Sequence, residues 1–242
     1  MTEEPRLYSE LASWWHLFSA PADYAEEAES FVRLLDPIAP GARPTMLELG
    51  SGGGNLASHI KTHFALTLSD RSRAMLEASR TINPELEHVE GDMRALRLGR
   101  LFDAVLIHDA IMYCTTEGDV RAALATAAVH CRAGGQVLIA PDCVLETCEA
   151  ETTSGGEDGA DGRSVRYLEW SLPRVGDAVT FEVFYAIVRR EANGEARVDL
   201  DRHINAAFPE QSWLEWMADA GIPAQSTVDA WKRHVFVGRR AG

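Results

Sequence analysis

The chain predicts an α/β fold: a doubly wound, seven-stranded, mostly parallel sheet with an antiparallel β insertion after the fifth strand. Three observations predict it. Short apolar runs alternate with helical patterns over residues 46–140, the rhythm of a parallel sheet covered on both faces. A glycine cluster ends the first run, in Met46-Leu-Glu-Leu-Gly-Ser-Gly-Gly-Gly-Asn55, and a helix-like pattern follows at once. After residue 150 the rhythm changes to alternating runs separated by turn residues, with Asn193-Gly194 as a strong hairpin signal.

Composition sets the outer limits. The 242 residues suffice for one large domain with a sizeable insertion. The 46% hydrophobic and 25% charged fractions are those of an ordinary water-soluble protein. No apolar run approaches the roughly 20 residues of a membrane helix, and Met1-Thr-Glu-Glu-Pro5 lacks a signal pattern. A cytoplasmic location with no membrane partner is therefore expected. The net charge of −14 argues against nucleic acid as a partner, because a phosphate backbone demands basic surface. A small-molecule substrate remains, handled by a monomer or homodimer. Cys114, Cys131, Cys143 and Cys148 show no paired spacing, so they read as inert thiols, with neither a disulfide framework nor a metal site.

Leu7 to Leu35 reads as two helices broken at Pro21, with Ala22-Asp23 capping the second. Its tryptophans, Trp14 and Trp15, read as packing residues, whereas Tyr8 and Tyr24 either pack or form a flap over a ligand. Ile38 to Thr45, rich in Pro and Gly, is a connector. Phe64–Asp70, Leu86–Asp92, Phe102–His108 and Gln136–Ala140 read as the second to fifth strands, with helices over Arg71–Arg80 and Val120–Cys131. Ser154–Gly162 reads as a flexible acidic loop, followed by strands over Ser164–Ser171, Val179–Arg190 and Ala196–Ile204. Pro209–Ala220 is a helix stopped by Gly221, and Gln225–Ala230 and Arg233–Arg239 close the main sheet. The domain plan is N-terminal helices and core over residues 1–149, an antiparallel cap over 150–208, and closing elements over 209–242.

Acids stand where an open parallel sheet binds ligands, just past its strand ends. Asp70 can accept hydrogen bonds from both hydroxyls of a ribose, and Asp92 can read an adenine edge. Glu48 lies two residues before the glycine turn and can orient a ligand ammonium. The plainer reading of any one acid is a helix cap or solvated charge, but three at successive strand ends form a pattern. A dinucleotide fingerprint needs a glycine where Asn55 stands, and a P-loop is excluded because no Gly-Lys-Ser/Thr occurs.

Leu47-Glu-Leu-Gly-Ser-Gly-Gly-Gly54 resembles motif I of class I S-adenosylmethionine-dependent methyltransferases. Leu68-Ser-Asp-Arg-Ser-Arg-Ala-Met75, Glu90-Gly-Asp-Met93, Phe102–Asp109 and Arg132-Ala-Gly-Gly135 resemble the family's later motifs in order. Ala133 departs from the usual Pro-Gly-Gly. The resemblance covers roughly Met46 to Ala140 and implies a Rossmann-like core. The insertion resembles, in plan only, that of small-molecule enzymes, notably N,N-dimethyltransferases acting on nucleotide-linked amino sugars.

The resemblance implies S-adenosylmethionine as methyl donor, S-adenosylhomocysteine as product, no metal, and methylation of N or O on a small molecule. The alternative is a regulatory protein that binds the cofactor without turnover. The expected cofactor contacts are Tyr8, Tyr24, Glu48, Gly50, Ser51, Gly52, Asp70, Arg71, Met75, Asp92, Met93, His108 and Asp109. His108 could act as a base or only touch the cofactor, the latter being favoured. His203, near Asp201, is a base candidate or a surface imidazole, and Tyr113 is placed at the reaction. Tyr113, Arg166, Tyr167, Trp170 and His203 are the expected substrate contacts, with Arg163 as a weaker one. Arg166 either grips a phosphate or carboxylate or is a solvated strand residue.

Overall fold

The computed structural model describes residues 5–35 and 43–242. Most of the expected connector and the first four residues lie outside them. The strands are β1 Thr45–Leu49, β2 Ala65–Asp70, β3 Glu87–Glu90, β4 Phe102–Ile107 and β5 Cys131–Ile139, closed by β10 Ala224–Val228 and β11 His234–Arg239. They form one seven-stranded sheet in the order β10-β11-β5-β4-β1-β2-β3. β1 pairs in parallel with both β2 and β4, which puts the first glycine turn at the centre of the sheet. Only β11 runs against its neighbours, pairing antiparallel with β5 and β10.

The strands read as unbroken apolar runs because both faces are covered. Leu47, Leu49, Val105, Ile107, Val137 and Ile139 point to one side, packing with helices α5 (Glu117–His130) and α6 (Glu210–Asp219). Met46, Leu66, Leu68, Ala104, Leu106 and Leu138 point to the other, with α2 (Ala25–Leu34) and α3 (Asn55–Ile60). Two helix starts are secured by their own side chains. Ser72 Oγ accepts the Met75 N–H at the head of α4 (Arg73–Ile82), and Thr116 Oγ1 accepts the Asp119 N–H at the head of α5.

The stretch before α2 departs from the expected pair of helices. It runs as 3₁₀ turns over Arg6–Tyr8 and Ala12–Trp14, a single α-turn α1 (Trp15–Phe18), and a further 3₁₀ turn over Pro21–Tyr24. Leu7, Leu11, Trp14 and Phe18 pack into one cluster with Val165 and Ile187 of the insertion. Tertiary packing of a dense aromatic group overrides helix propensity here. The expected cap at Ala22-Asp23 is also absent, since Tyr24 precedes α2 as its N-cap and makes no side-chain capping bond.

Between β5 and α6 lies the second sheet: β6 (Thr152–Gly155), β7 (Ser164–Ser171), β8 (Thr180–Arg190) and β9 (Ala196–Ala206), all antiparallel in that order. β6 replaces the front of the expected acidic loop. The rest of that loop is tied down, with the Glu157 N–H donating to Leu17 O at 2.8 Å. Among the described residues no helix is long and apolar enough to cross a membrane. The four cysteines are free, Cys114 and Cys131 buried among apolar neighbours.

Candidate active site

The strand–turn–helix at the sheet centre is built almost wholly from backbone. Gly50 and Ser51 N–H groups donate to Ser69 O at 2.7 and 2.9 Å, tying the turn to β2. Gly52 N–H donates to Asp70 Oδ2 and Ser72 N–H to Asp70 Oδ1, both at 2.8 Å. Gly52 has φ of 53° and its missing side chain would meet only Met75 Cε, so its face is open. Gly53 differs, because a Cβ there would lie 2.0 Å from the Trp15 ring. The turn thus leaves an open backbone face at Gly52 and gives a packing surface for the N-terminal segment at Gly53. Asn55, in place of a fingerprint glycine, is buried and donates to Ser19 O at 2.9 Å.

Around this turn the expected cofactor residues converge. Met93 packs against Gly50, and Met75 is buried beneath Gly52. Glu48 is buried with Oε2 lacking any partner, and Ser51 Oγ is similarly orphaned. Burial pushes the Glu48 carboxyl up to about 8, with nearby His108 offsetting part of the cost. Two buried polar atoms without partners beside an open glycine face fit the polar amino-acid end of a cofactor. Asp92 is held below the usual carboxylate range by the Arg94 guanidinium, which also reaches Asp119 Oδ1 at 2.8 Å. Arg71 is exposed and adds its field to Asp92.

Past the end of β4 lies a cluster of charges. His108 is buried, with Nε2 at 3.0 Å from Glu27 Oε1 and 2.7 Å from Asp109 Oδ1. Arg233, from the turn between β10 and β11, pairs with the same Glu27 oxygen and with Asp229 Oδ2 at 2.7 Å. Burial opposes a charge on His108, but Asp109 and Glu27 outweigh it and hold the imidazole protonated well above its ordinary range. With Nε2 set against both carboxylates, His108 is placed as a partner of that charge cluster rather than as a free base. Tyr24 stands edge-on to the His108 ring at 6.4 Å and bonds Ser19 Oγ through its hydroxyl at 2.9 Å.

Asp142, two residues beyond Ala140, completes this cluster and was not among the expected residues. Asp142 is solvent-exposed and stands beside Asp109, close to His108 and Arg233. Desolvation and the adjacent Asp109 push its carboxyl well above the ordinary carboxylate range. Tyr8, Tyr24, Tyr113 and Tyr185 all feel its charge. The strand-end rule that selected Asp70 and Asp92 would have found Asp142 too.

Beside this cluster the insertion contributes to a hydrogen-bonded chain. The 3₁₀ turn Asp109–Tyr113 brings Tyr113 Oη within 2.6 Å of His203 Nδ1 and 2.8 Å of Tyr8 Oη. His203 Nε2 lies 3.1 Å from Asp201 Oδ2, and that oxygen also accepts the Leu7 N–H at 2.7 Å. Burial opposes the charge on Asp201, yet these hydrogen bonds hold its carboxyl below the usual range. The network assigns the His203 proton to Nε2, leaving Nδ1 to accept from Tyr113. His203 is 1% exposed, so it is no surface imidazole.

Strand alternation splits the remaining substrate candidates. Tyr167 faces inward, stacked on Phe18 at 4.1 Å. Arg166 and Trp170 face outward, Arg166 paired with Asp158 at 2.9 Å and Trp170 half-exposed. Both therefore leave the site, because neighbours of an inward residue on a strand must point away. Arg163 bonds Asp161 and lies over the Trp14 ring at 4.7 Å. A separate cleft lined by Arg43, Thr67, Glu87 and Arg100 opens at the opposite, N-terminal ends of the strands and holds none of the site residues.

The comparisons with known proteins agree with this arrangement. A family model described as a methyltransferase domain matches residues 46–135. The dTDP-3-amino-3,4,6-trideoxy-alpha-D-glucopyranose N,N-dimethyltransferase of Streptomyces venezuelae is 32% identical over 202 residues, spanning 83% of this chain and 84% of that protein. The crystal structure of Streptomyces venezuelae DesVI matches with a TM-score of 0.83 and 26% identity, over 96% of this chain and 98% of that one. The sugar N-methyltransferase KedS8 from a Streptoalloteichus species gives 0.79 and 28%, over 92% and 90%. With the glycine turn, the acids beyond the strand ends and a relative that similar over most of its length, the chain belongs to the class I S-adenosylmethionine-dependent methyltransferases of small molecules.

Proposed function

We propose that the chain transfers methyl groups from S-adenosylmethionine to the amino group of a nucleotide-linked amino sugar. The substrate class is the one named for its Streptomyces venezuelae relative. The observation that carries the reading is the buried hydrogen-bonded chain Asp201–His203–Tyr113–Tyr8, which leads from a carboxylate to the tyrosines that surround the Asp109–Asp142 pair. Such a grouping suits an acceptor that arrives as a cation and must react as a neutral amine.

Glu48 Oε2 and Ser51 Oγ would hold the amino-acid end of the cofactor, Asp70 its ribose, and Asp92 with Met75 and Met93 its adenine, while Tyr24 and His108 border the reactive end. When bound, S-adenosylmethionine supplies an activated sulfonium methyl that needs only a correctly aligned lone pair. The Asp109–Asp142 pair carries one negative charge, and with the surrounding tyrosine rings it attracts the substrate ammonium. The ammonium gives one proton to Tyr8 Oη as Tyr8 passes its own to Tyr113 Oη and Tyr113 passes its own to His203 Nδ1. The resulting imidazolium is stabilised by Asp201. The same relay serves a second round once the His203 imidazolium has returned its proton through Tyr113 and Tyr8 to solvent on product release, because a monomethylated ammonium again carries protons to remove. The aromatic N-terminal segment over the turn excludes water while the amine is held.

The test is mass spectrometry of thymidine-diphosphate amino sugars incubated with enzyme and cofactor, alongside calorimetry of the cofactor alone. One or two added methyl groups on the amine support the reading, and the 3-hydroxy analogue should stay unmodified. Cofactor binding without methylation of any amino sugar would reject the substrate class. Heat from neither S-adenosylmethionine nor S-adenosylhomocysteine would reject the donor as well.

A further inference from the structure

Cross-strand register arranges the inner face of the four-stranded sheet in rows. Gly155, Tyr167, Ile187 and Asp199 form one row, in which Tyr167 and Ile187 pack on the N-terminal cluster. The next row takes one residue from each strand: Thr153, Glu169, Tyr185 and Asp201. Glu169 shares a face with Tyr167 and Ser171, since side chains alternate along a strand. Its carboxyl therefore sits on the side of the sheet that carries Tyr185 and His203, yet the proposed relay makes no use of it.

The other acids on that face are matched by basic groups. Asp199 pairs with Arg189 at 2.7 Å and Asp201 with His203 at 3.1 Å. Glu169 is held by two hydroxyls, those of Tyr185 and Thr153, while His203 acts on it through its field. Burial pushes the Glu169 carboxyl up, and the two hydroxyls offset part of that cost. Two donors leave capacity open, since a carboxylate offers about four acceptor positions. Glu169 is only partly buried, so a donor on the substrate can reach it.

Rings separate this carboxylate from the reacting amine. The Tyr8 and His203 ring centroids lie 5.3 Å apart, and those of His203 and Tyr185 4.7 Å. Glu169 follows Tyr185 in that series, so it stands apart from the Tyr8 hydroxyl that takes the amine proton. We propose that Glu169 accepts a hydrogen bond from a ring hydroxyl of the amino sugar and so selects substrates that carry this hydroxyl over deoxygenated ones. The inference rests on the substrate reading above and adds the residue that tells one amino sugar from another. A charged oxygen binds a hydroxyl strongly, and a substrate lacking it leaves the carboxylate desolvated without its donor.

Matched pairs of thymidine-diphosphate amino sugars, differing in one ring hydroxyl, test this in steady-state assays of the full chain. Wild type should favour the hydroxylated member of one pair by about 10- to 100-fold in kcat/KM, as expected for one hydrogen bond to a charged group. Glu169→Ala should bring that ratio to within about threefold of one, by slowing the hydroxylated sugar and leaving its partner nearly unchanged. Glu169→Gln, which keeps a weaker neutral acceptor, should give an intermediate ratio. Cofactor affinity should hold in both variants, and circular dichroism confirms that they fold. A purely structural Glu169 would slow both members alike and keep the ratio, which overturns the inference. Equal use of both members of every pair by wild type overturns it too, while leaving the amino-sugar reading in place. Methylation of no amino sugar rejects that reading, and this inference with it.

Discussion

His108, at the end of β4, and His203, on the inner face of β9, are 6% and 1% exposed, yet their surroundings give them opposite chemistry. His108 is surrounded by Glu27, Asp109 and Arg233, a network of fixed charges joining α2, the end of β4 and the β10–β11 turn. His203 has one carboxylate on one nitrogen and a phenol on the other. The first arrangement ties three elements together and serves as a pin. The second leaves one imidazole nitrogen facing a phenol and the other a carboxylate, the geometry on which the proposed relay rests. Burial alone therefore says little about what a histidine does, and the partners on its two nitrogens say most of it.

The sharpest way to break this comparison is to remove the pin. Glu27→Gln leaves Arg233 and His108 without their shared carboxylate, and losing one partner of a buried pair costs about 3–5 kcal/mol. Urea unfolding should show that loss, and a variant as stable as wild type would mean that the network is not a pin. His203→Gln should keep the fold and cofactor affinity while lowering kcat by roughly 100-fold or more, the usual contribution of positioned proton transfer. Raising the assay pH should restore part of that rate, because a larger fraction of the amine is then already neutral. An unchanged kcat at neutral pH would remove the relay from the mechanism.

A third experiment separates Glu48 from both histidines. Its carboxyl is pushed up to about 8, so it is largely protonated at neutral pH, and a cofactor ammonium favours the ionised form. Cofactor binding should therefore release a proton, with affinity climbing by up to about tenfold per pH unit between roughly 6 and 8. Calorimetry in two buffers of different ionisation enthalpy counts the proton, and Glu48→Gln should abolish the slope. The smallest effect is expected at Arg166→Ala, on the outer face of β7. Stability should change by less than about 0.5 kcal/mol and KM for the amino sugar should hold. A several-fold rise in KM would bring Arg166 back into the site.

Much of the large sheet was legible because its signals are local. Each strand is a run of adjacent apolar residues, and Asp70 and Asp92 follow their strands directly. The apolar spacing of Leu11, Trp14 and Leu17 suits a helix, and it also suits a chain of tight turns packed on a distant sheet. β7 departs for a different reason. Arg166, Tyr167 and Trp170 were grouped as substrate contacts, although strand geometry puts Tyr167 on one face and the other two on the opposite one. The period-two rule would have caught this. Asp142 was missed although it obeys the rule used for its neighbours, and Glu27 and Arg233 gave no local signal at all.

What the sequence by itself determined is the donor half of the protein. Leu47 to Gly54, Asp70 and Asp92 form strand–turn–helix and strand-end patterns whose geometry is set within a few residues, so residue order suffices to read them. The acceptor half was decided by tertiary structure. Tyr8, Tyr113 and His203 are separated by 105 and 90 residues along the chain, and Leu7 and Asp201 by 194, yet all lie within one hydrogen-bonded chain. No local pattern specifies such contacts, because they exist only once the N-terminal turns pack under the insertion and bring a phenol, an imidazole and a carboxylate within bonding distance.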